Sequence, residues 1–200
     1  QHRVKNNLQH VLSILEMQKE SVNFNNVDEL IRENKNRVQS MALLHSKLNT
    51  SESLQHVNPE QYLSELASLV MNSYEGKEKE IAISLRCNIA SMNIRQAFSL
   101  GLIIVELISN SMKYAFAKQA EGQISIALLG EEHSGKNTLY YADNGIGFDF
   151  FASSPKGLGL EIIKGLINQL NGRVEVKNKN GFKLKMYFEN NLTHNGRNDK

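Results

Sequence analysis

Only one cysteine, Cys87, occurs in the 200 residues, so no disulfide can close within the chain and no CxxC metal site is available. So little cysteine fits a reducing compartment. Proline is nearly as scarce, with two residues, which makes Pro59 an informative punctuation mark. No apolar run approaches the roughly 18 residues needed to cross a bilayer, and the longest, from Leu100 to Ile108, contains Glu106. A net charge of +2, with 23 basic and 21 acidic residues mixed along the chain, gives no ground for nucleic acid or an anionic membrane as a partner. No internal repeat is present. What remains, 40% hydrophobic and 22% charged residues, is a globular composition able to fill a core, long enough for one ordinary domain and a smaller element. The chain begins at Gln1 already in a helical pattern, so it reads as a soluble cytoplasmic piece of a longer protein whose membrane attachment is open.

From Val4 onward, Leu8, Val11, Leu12 and Leu15 recur at helical spacing, and Ser21 to Asn26 form a polar interruption. Val27, Leu30, Ile31, Val38, Met41, Leu44 and Leu48 then mark a second helical face. Residues 1 to about 50 are therefore predicted to form an antiparallel helical hairpin. Two helices cannot enclose a core, so the hairpin is expected to pair with a second copy as a homodimeric four-helix bundle. The polar stretch that follows is closed by Pro59, well placed in the first turn of a new helix. The expected domains are 1–56, the hairpin, and 57–190, with a polar, asparagine-rich, disordered tail at 191–200. The second domain reads as a helix at 59–74, a strand at 81–87, a long helix at 94–116 and strands at 123–129 and 138–142. A helix at 158–170 and a hairpin at 173–176 and 182–188 complete it. The predicted class is α+β: the hairpin, then a sandwich with helices on one face of a mixed, mainly antiparallel sheet.

Three constellations carry chemistry. Glu106, Asn110 and Lys113 stand four and three residues apart, which puts them on one stripe of the long helix. An amide oxygen of Asn110 can coordinate Mg²⁺, Lys113 can neutralise phosphate, and Glu106 can orient water or accept a proton. Taken alone, the triad reads first as a solvated helix face. Asp143, Gly145 and Gly147 follow a strand as Asp-x-Gly-x-Gly, a tight turn that brings backbone near a ligand and offers a carboxylate to an amine such as adenine's. An ordinary hairpin turn is the alternative there. Lys156-Gly157-Leu158-Gly159 opens a helix whose first N–H groups can face an anion. No GxxxxGK[ST] loop or dinucleotide fingerprint is present.

In this order, these motifs resemble those of the GHKL ATPases, the superfamily of histidine-kinase catalytic domains, Hsp90, gyrase B and MutL. The likeness covers about Pro59 to Glu189. Glu106, Asn110 and Lys113 match its N box, Asp143, Gly145 and Gly147 its first glycine box, and Gly157 and Gly159 its second. The resemblance implies a Bergerat fold binding ATP and Mg²⁺, with adenine on Asp143, the metal on Asn110, a lid at 148–156, and Tyr114, Lys156 and Leu158 among the nucleotide-binding residues. One departure stands out: the family often has Gly-Thr entering the last strand, where the hydroxyl supports the adenine-binding aspartate, whereas here Phe182 follows Gly181.

The run His2-Arg3-Val4-Lys5-Asn6-Asn7-Leu8 resembles the HRVKNNLQ signature of a class of histidine kinases, in which this histidine accepts the phosphoryl group. A neutral imidazole is nucleophilic, and a bundle position would present it to another domain. Arg3 stands where the commoner class has an acidic residue, which leaves the base for His2 unassigned. His10, His45, His56, His133 and His194 lack ligand spacing, and Cys87 reads as a small core residue. The resemblance implies ATP-dependent autophosphorylation of His2, with Glu106 and Lys113 as further catalytic groups, and onward transfer to an aspartate of a response regulator. The rivals are a GHKL serine kinase of the anti-sigma type and a non-enzymatic dimeric phosphotransfer scaffold.

Overall fold

A computed structural model describes residues 27–49, 56–74, 80–131, 134–147, 150 and 158–189. The first predicted hairpin helix with His2, the residues Lys156 and Gly157, and the tail at 191–200 lie outside these.

The described helices begin where their caps dictate. Helix α1, Val27–Asn49, carries Asp28 and Glu29 in its first turn and Lys47 in its last, each opposite in sign to the helix end it occupies. In α2, Pro59–Asn72, Pro59 fills the first turn, and the Asn58 side chain accepts from the Gln61 N–H at 3.0 Å. In α3, Ile94–Asn110, Asn93 accepts from the Gln96 N–H at 2.9 Å. Helix α4 spans Leu158–Gln169.

The strands are β1 His56–Val57, β2 Glu80–Cys87, β3 Met92–Asn93, β4 Glu121–Gly130, β5 Lys136–Asp143, β6 Arg173–Lys177 and β7 Lys183–Glu189. Five form one sheet in the order β2-β4-β5-β7-β6, in which β2 and β4 run parallel and the other neighbours antiparallel. This is the α+β class with the mixed, mainly antiparallel sheet expected from the pattern. Strands β1 and β3 make a two-stranded sheet absent from that expectation. At two residues each, they are too short to show alternation.

Helix α3 is the axis of the molecule. Every residue from Gln96 to Ser109 is buried, because α1, α2 and α4 all pack on it and its apolar residues share one core with the inward-facing residues of the sheet. A helix buried on all sides holds its position rigidly, which matters because its last turn carries Glu106 and Asn110.

Two expectations change here. The apolar positions of α1 divide between faces: Met41 and Leu44 are buried in the common core, while Val27, Ile31 and Val38 are 51%, 59% and 49% exposed. Met41 therefore needs no second copy to cover it, since α1 docks on α2 and α3 of its own chain. The long helix predicted to reach Phe116 is α-helical only to Asn110. Ser111–Ala115 is a π-helix, in which the Phe116 N–H donates to the Ser111 carbonyl at 2.9 Å. The wider turn adds a residue per loop without altering composition, so apolar spacing does not report it.

Candidate functional site

Asp143 ends β5 and is buried. Its Oδ1 accepts from the N–H groups of Gly145 at 3.0 Å and Phe182 at 3.2 Å, and its Oδ2 accepts from the Ser111 hydroxyl at 2.7 Å. Ser111 Oγ in turn lies 2.8 Å from the buried Tyr141 hydroxyl, whose own ionisation burial pushes well up. A carboxylate offers roughly four acceptor positions, so one position on Oδ2 remains for an outside donor. The three fixed donors hold that oxygen in place.

Phe182 does not leave the expected support vacant. Its N–H donates to Asp143, and its ring packs 6.1 Å from Phe150 and 6.4 Å from Tyr141. Ser111, one residue beyond Asn110, supplies the hydroxyl from the opposite side. Gly181 makes the approach possible: its φ is +95°, and a Cβ there would lie 2.0 Å from the Asp143 carbonyl oxygen.

The glycine turn meets the N box through backbone. Ile146 N–H donates to the Ala115 carbonyl at 3.2 Å, and a Cβ on Gly145 would come 2.5 Å from that of Ala115. At the start of α4, a Cβ on Gly159 would lie 2.6 Å from Glu106 Oε2 and 3.7 Å from Asn110 Oδ1. The fold thus brings Glu106, Asn110, Asp143, Gly145, Leu158 and Gly159 around one end of α3. Gly147, at φ +76°, lies against Asn178 at the far side of the same turn. The Lys113 ammonium lies 4.9 Å from the centre of the Tyr114 ring.

Helix α1 also enters this site. Arg37 grips Glu106 with two parallel bonds, Nε to Oε1 at 2.5 Å and a terminal nitrogen to Oε2 at 2.9 Å, with both side chains buried. Lys113 pairs with Glu29 at 2.5 Å and also with Glu33. Burial pushes the Lys113 ammonium down to about 8, and burial likewise pushes Glu33 up against the charge of Arg37. The Glu29 and Glu33 side chains hold the ammonium together.

Residues 95–192 match the family model described as histidine kinase-, DNA gyrase B-, and HSP90-like ATPase, and residues 1–74 match the HisKA_2 model, described as histidine kinase. The chain is a histidine kinase core. Its GHKL-type domain is an ATP-binding one by family. The kinase core is 31% identical over 168 residues to the sensor histidine kinase PdtaS of Mycolicibacterium smegmatis, covering 83% of this chain and 33% of that protein. It is 29% identical over 180 residues to PdtaS of Mycobacterium tuberculosis, covering 88% and 35%. It therefore spans about a third of the length of these curated relatives. In fold it is similar to the blue-light activated histidine kinase of Erythrobacter litoralis, with a TM-score of 0.75 at 18% identity over 96% of this chain and 60% of that one.

Several site residues of the kinase core escaped the sequence pattern. Ser111 carries a faint signal, a small hydroxyl directly after Asn110. Arg37 carries a clearer one: it falls at helical spacing with Met41 and Leu44, on the inward face, where an arginine demands a buried partner. Cys87 is half-buried with its thiol pushed up by burial, as suits a packing residue. No helix among the described residues is long and apolar enough to cross a membrane.

Proposed function

We propose that this kinase core binds ATP with Mg²⁺, autophosphorylates His2, and passes the phosphoryl group to an aspartate of a response regulator. The observation that carries the nucleotide half is Asp143: three protein donors fix its carboxylate and one acceptor position is left, suited to the exocyclic amine of adenine. The phosphotransfer half is supported by the HRVKN run and by a histidine-kinase family match that begins at residue 1 and so includes His2.

Bound Mg²⁺–ATP supplies the γ-phosphoryl group, and the metal offsets charge on the phosphate oxygens. The amide oxygen of Asn110, 3.7 Å from the Cβ position of Gly159, is the kind of donor that suits a hard cation. In this proposal Asn110 is the protein ligand to the metal. Lys113, beside Tyr114, neutralises phosphate charge, and Lys156 and the backbone at Gly157, Leu158 and Gly159 receive the anion at the helix start. Gly145 and Gly147 let the turn after Asp143 approach the base. Glu106 orients water or takes a proton. His2 attacks through a neutral imidazole nitrogen, forming a P–N bond as the bond to the ADP oxygen breaks.

We assign residues 1–56 to the phosphotransfer hairpin and 57–190 to the ATP-binding domain, and place both in the cytoplasm. The exposed Val27, Ile31 and Val38 support a homodimer through the hairpin. Labelling with γ-labelled ATP tests the proposal: an acid-labile label marks phosphohistidine, whereas an acid-stable one marks the serine kinase of the anti-sigma type.

A further inference from the structure

We propose that Glu29 and Glu33 act as an internal substitute for nucleotide phosphate, so that docking of the first half of α1 and binding of ATP exclude one another. The inference rests on the assignment of Lys113 as a phosphate-neutralising group. That ammonium is held by both α1 carboxylates, each presenting an anionic oxygen much as a phosphate does. Beside it Arg37 pairs with Glu106 and reaches back to Glu33 at 3.3 Å. Around Lys113 and Arg37 stand three carboxylates, those of Glu29, Glu33 and Glu106, so two cations face three anions before any ligand arrives. A triphosphate brought to Lys113 meets that excess negative charge in a partly desolvated place, where repulsion is weakly screened.

The surface beneath this half of α1 is built to part. Asn36 and Arg37 are buried polar residues in it, and among the described residues Oδ1 of Asn36 has no hydrogen-bond partner although its amide donates to Ser73 at 2.9 Å. Water reaching these groups on separation recovers part of the cost, as it does not at an apolar contact. The second half of α1 is held differently, by the core residues Met41 and Leu44 and by the Lys47–Glu65 pair at 2.5 Å. The helix can therefore release its charged first half while its apolar second half stays seated. Linkage makes the effect reciprocal: whatever lifts Glu29 and Glu33 raises ATP affinity, and ATP lifts them.

The experiment is calorimetric titration of the full chain with Mg²⁺–ATP and separately with adenosine, for the unaltered protein, the Glu29→Gln/Glu33→Gln variant and Lys113→Met. Removing the two charges should tighten ATP roughly tenfold, within the usual span of such couplings, and leave adenosine unchanged. Combined with Lys113→Met, the same two changes should give at most a small part of that gain. In the unaltered protein, ATP should also speed hydrogen exchange of the amides around residues 29–37. Unchanged or weaker ATP binding by the double variant, with Lys113→Met still weakening it, overturns the competition and leaves the site assignment standing. Equal tightening of ATP and adenosine also overturns it, because phosphate is then not what competes. Binding of neither ligand by any variant removes the nucleotide site itself, and the competition with it.

Discussion

The Ser111 hydroxyl donates to Asp143 Oδ2 at 2.7 Å and lies 2.8 Å from the Tyr141 hydroxyl, a buried chain that ties the π-helix to the end of β5. Replacing Ser111 by Ala strands the Tyr141 hydroxyl and frees one Asp143 oxygen, and should cost about 1–3 kcal/mol of stability. Asp143→Asn should fold better than that. Its single oxygen can keep the Gly145 and Phe182 N–H groups while its amide turns to Ser111, which can accept. ATP affinity should nevertheless fall by roughly 1.5–3 kcal/mol as a charge-assisted bond is lost, and preference for ATP over GTP should shrink. Calorimetry on the folded variant checks this, and unchanged affinity would contradict the adenine assignment.

Gly181→Ala should be among the most damaging single changes. At φ +95°, with a Cβ 2.0 Å from the Asp143 carbonyl oxygen, the turn cannot keep its shape. A loss of roughly 3 kcal/mol or more is expected from strain and displacement together. Gly165→Ala is the matched control, because it sits in α4 with no atom within 4 Å of its Cβ position. That change should add about 0.5–1 kcal/mol. Urea denaturation of the two variants separates conformational need from mere glycine content.

Arg37→Met removes one partner of a buried ion pair and leaves Glu106 charged in a dry place. The expected cost is about 3–5 kcal/mol, most of which should return in Arg37→Met/Glu106→Leu. A double-mutant cycle in denaturant reads the coupling directly. Additive losses would mean that the two side chains do not depend on one another.

Lys113 gives a pH signature. Burial lowers its folded-state value from the ordinary 10.5 to about 8. Between those values the unfolded chain holds a proton that the folded chain has released, so this group makes stability rise with pH there, by at most about 1.4 kcal/mol per unit. Over the same range the ion pairs with Glu29 and Glu33 fade. Lys113→Met should flatten the stability profile between pH 8 and 10.5, measured as denaturation midpoint against pH. An identical profile in the variant would contradict the depressed value.

Much of this site was legible because its parts are local. Asp143 with Gly145 and Gly147, and Glu106 with Asn110, each lie within a few residues, and caps such as Asn58 before Pro59 show in the sequence directly. The fold class followed for the same reason, since strands and helices of ordinary length carry their own periodicity. What stayed hidden is relational. The support that Phe182 gives Asp143 comes through a backbone N–H, which any residue supplies, so the absent threonine hydroxyl pointed to a gap that Ser111 fills from 32 residues away. The π-turn leaves apolar spacing almost unchanged. Nothing local tells that Glu106 and Lys113 lie opposite Glu29, Glu33 and Arg37.

The central claim is that His2 takes the phosphoryl group from a nucleotide bound at Asp143 and Asn110. The direct measurement is incubation of the chain with γ-labelled ATP and Mg²⁺, with the modified residue located by mass spectrometry under neutral conditions. The account predicts an acid-labile label on His2, lost in His2→Gln while ATP binding persists, and lost in Asn110→Ala. Acid-labile label that persists on His2→Gln, or an acid-stable label on serine, would contradict it.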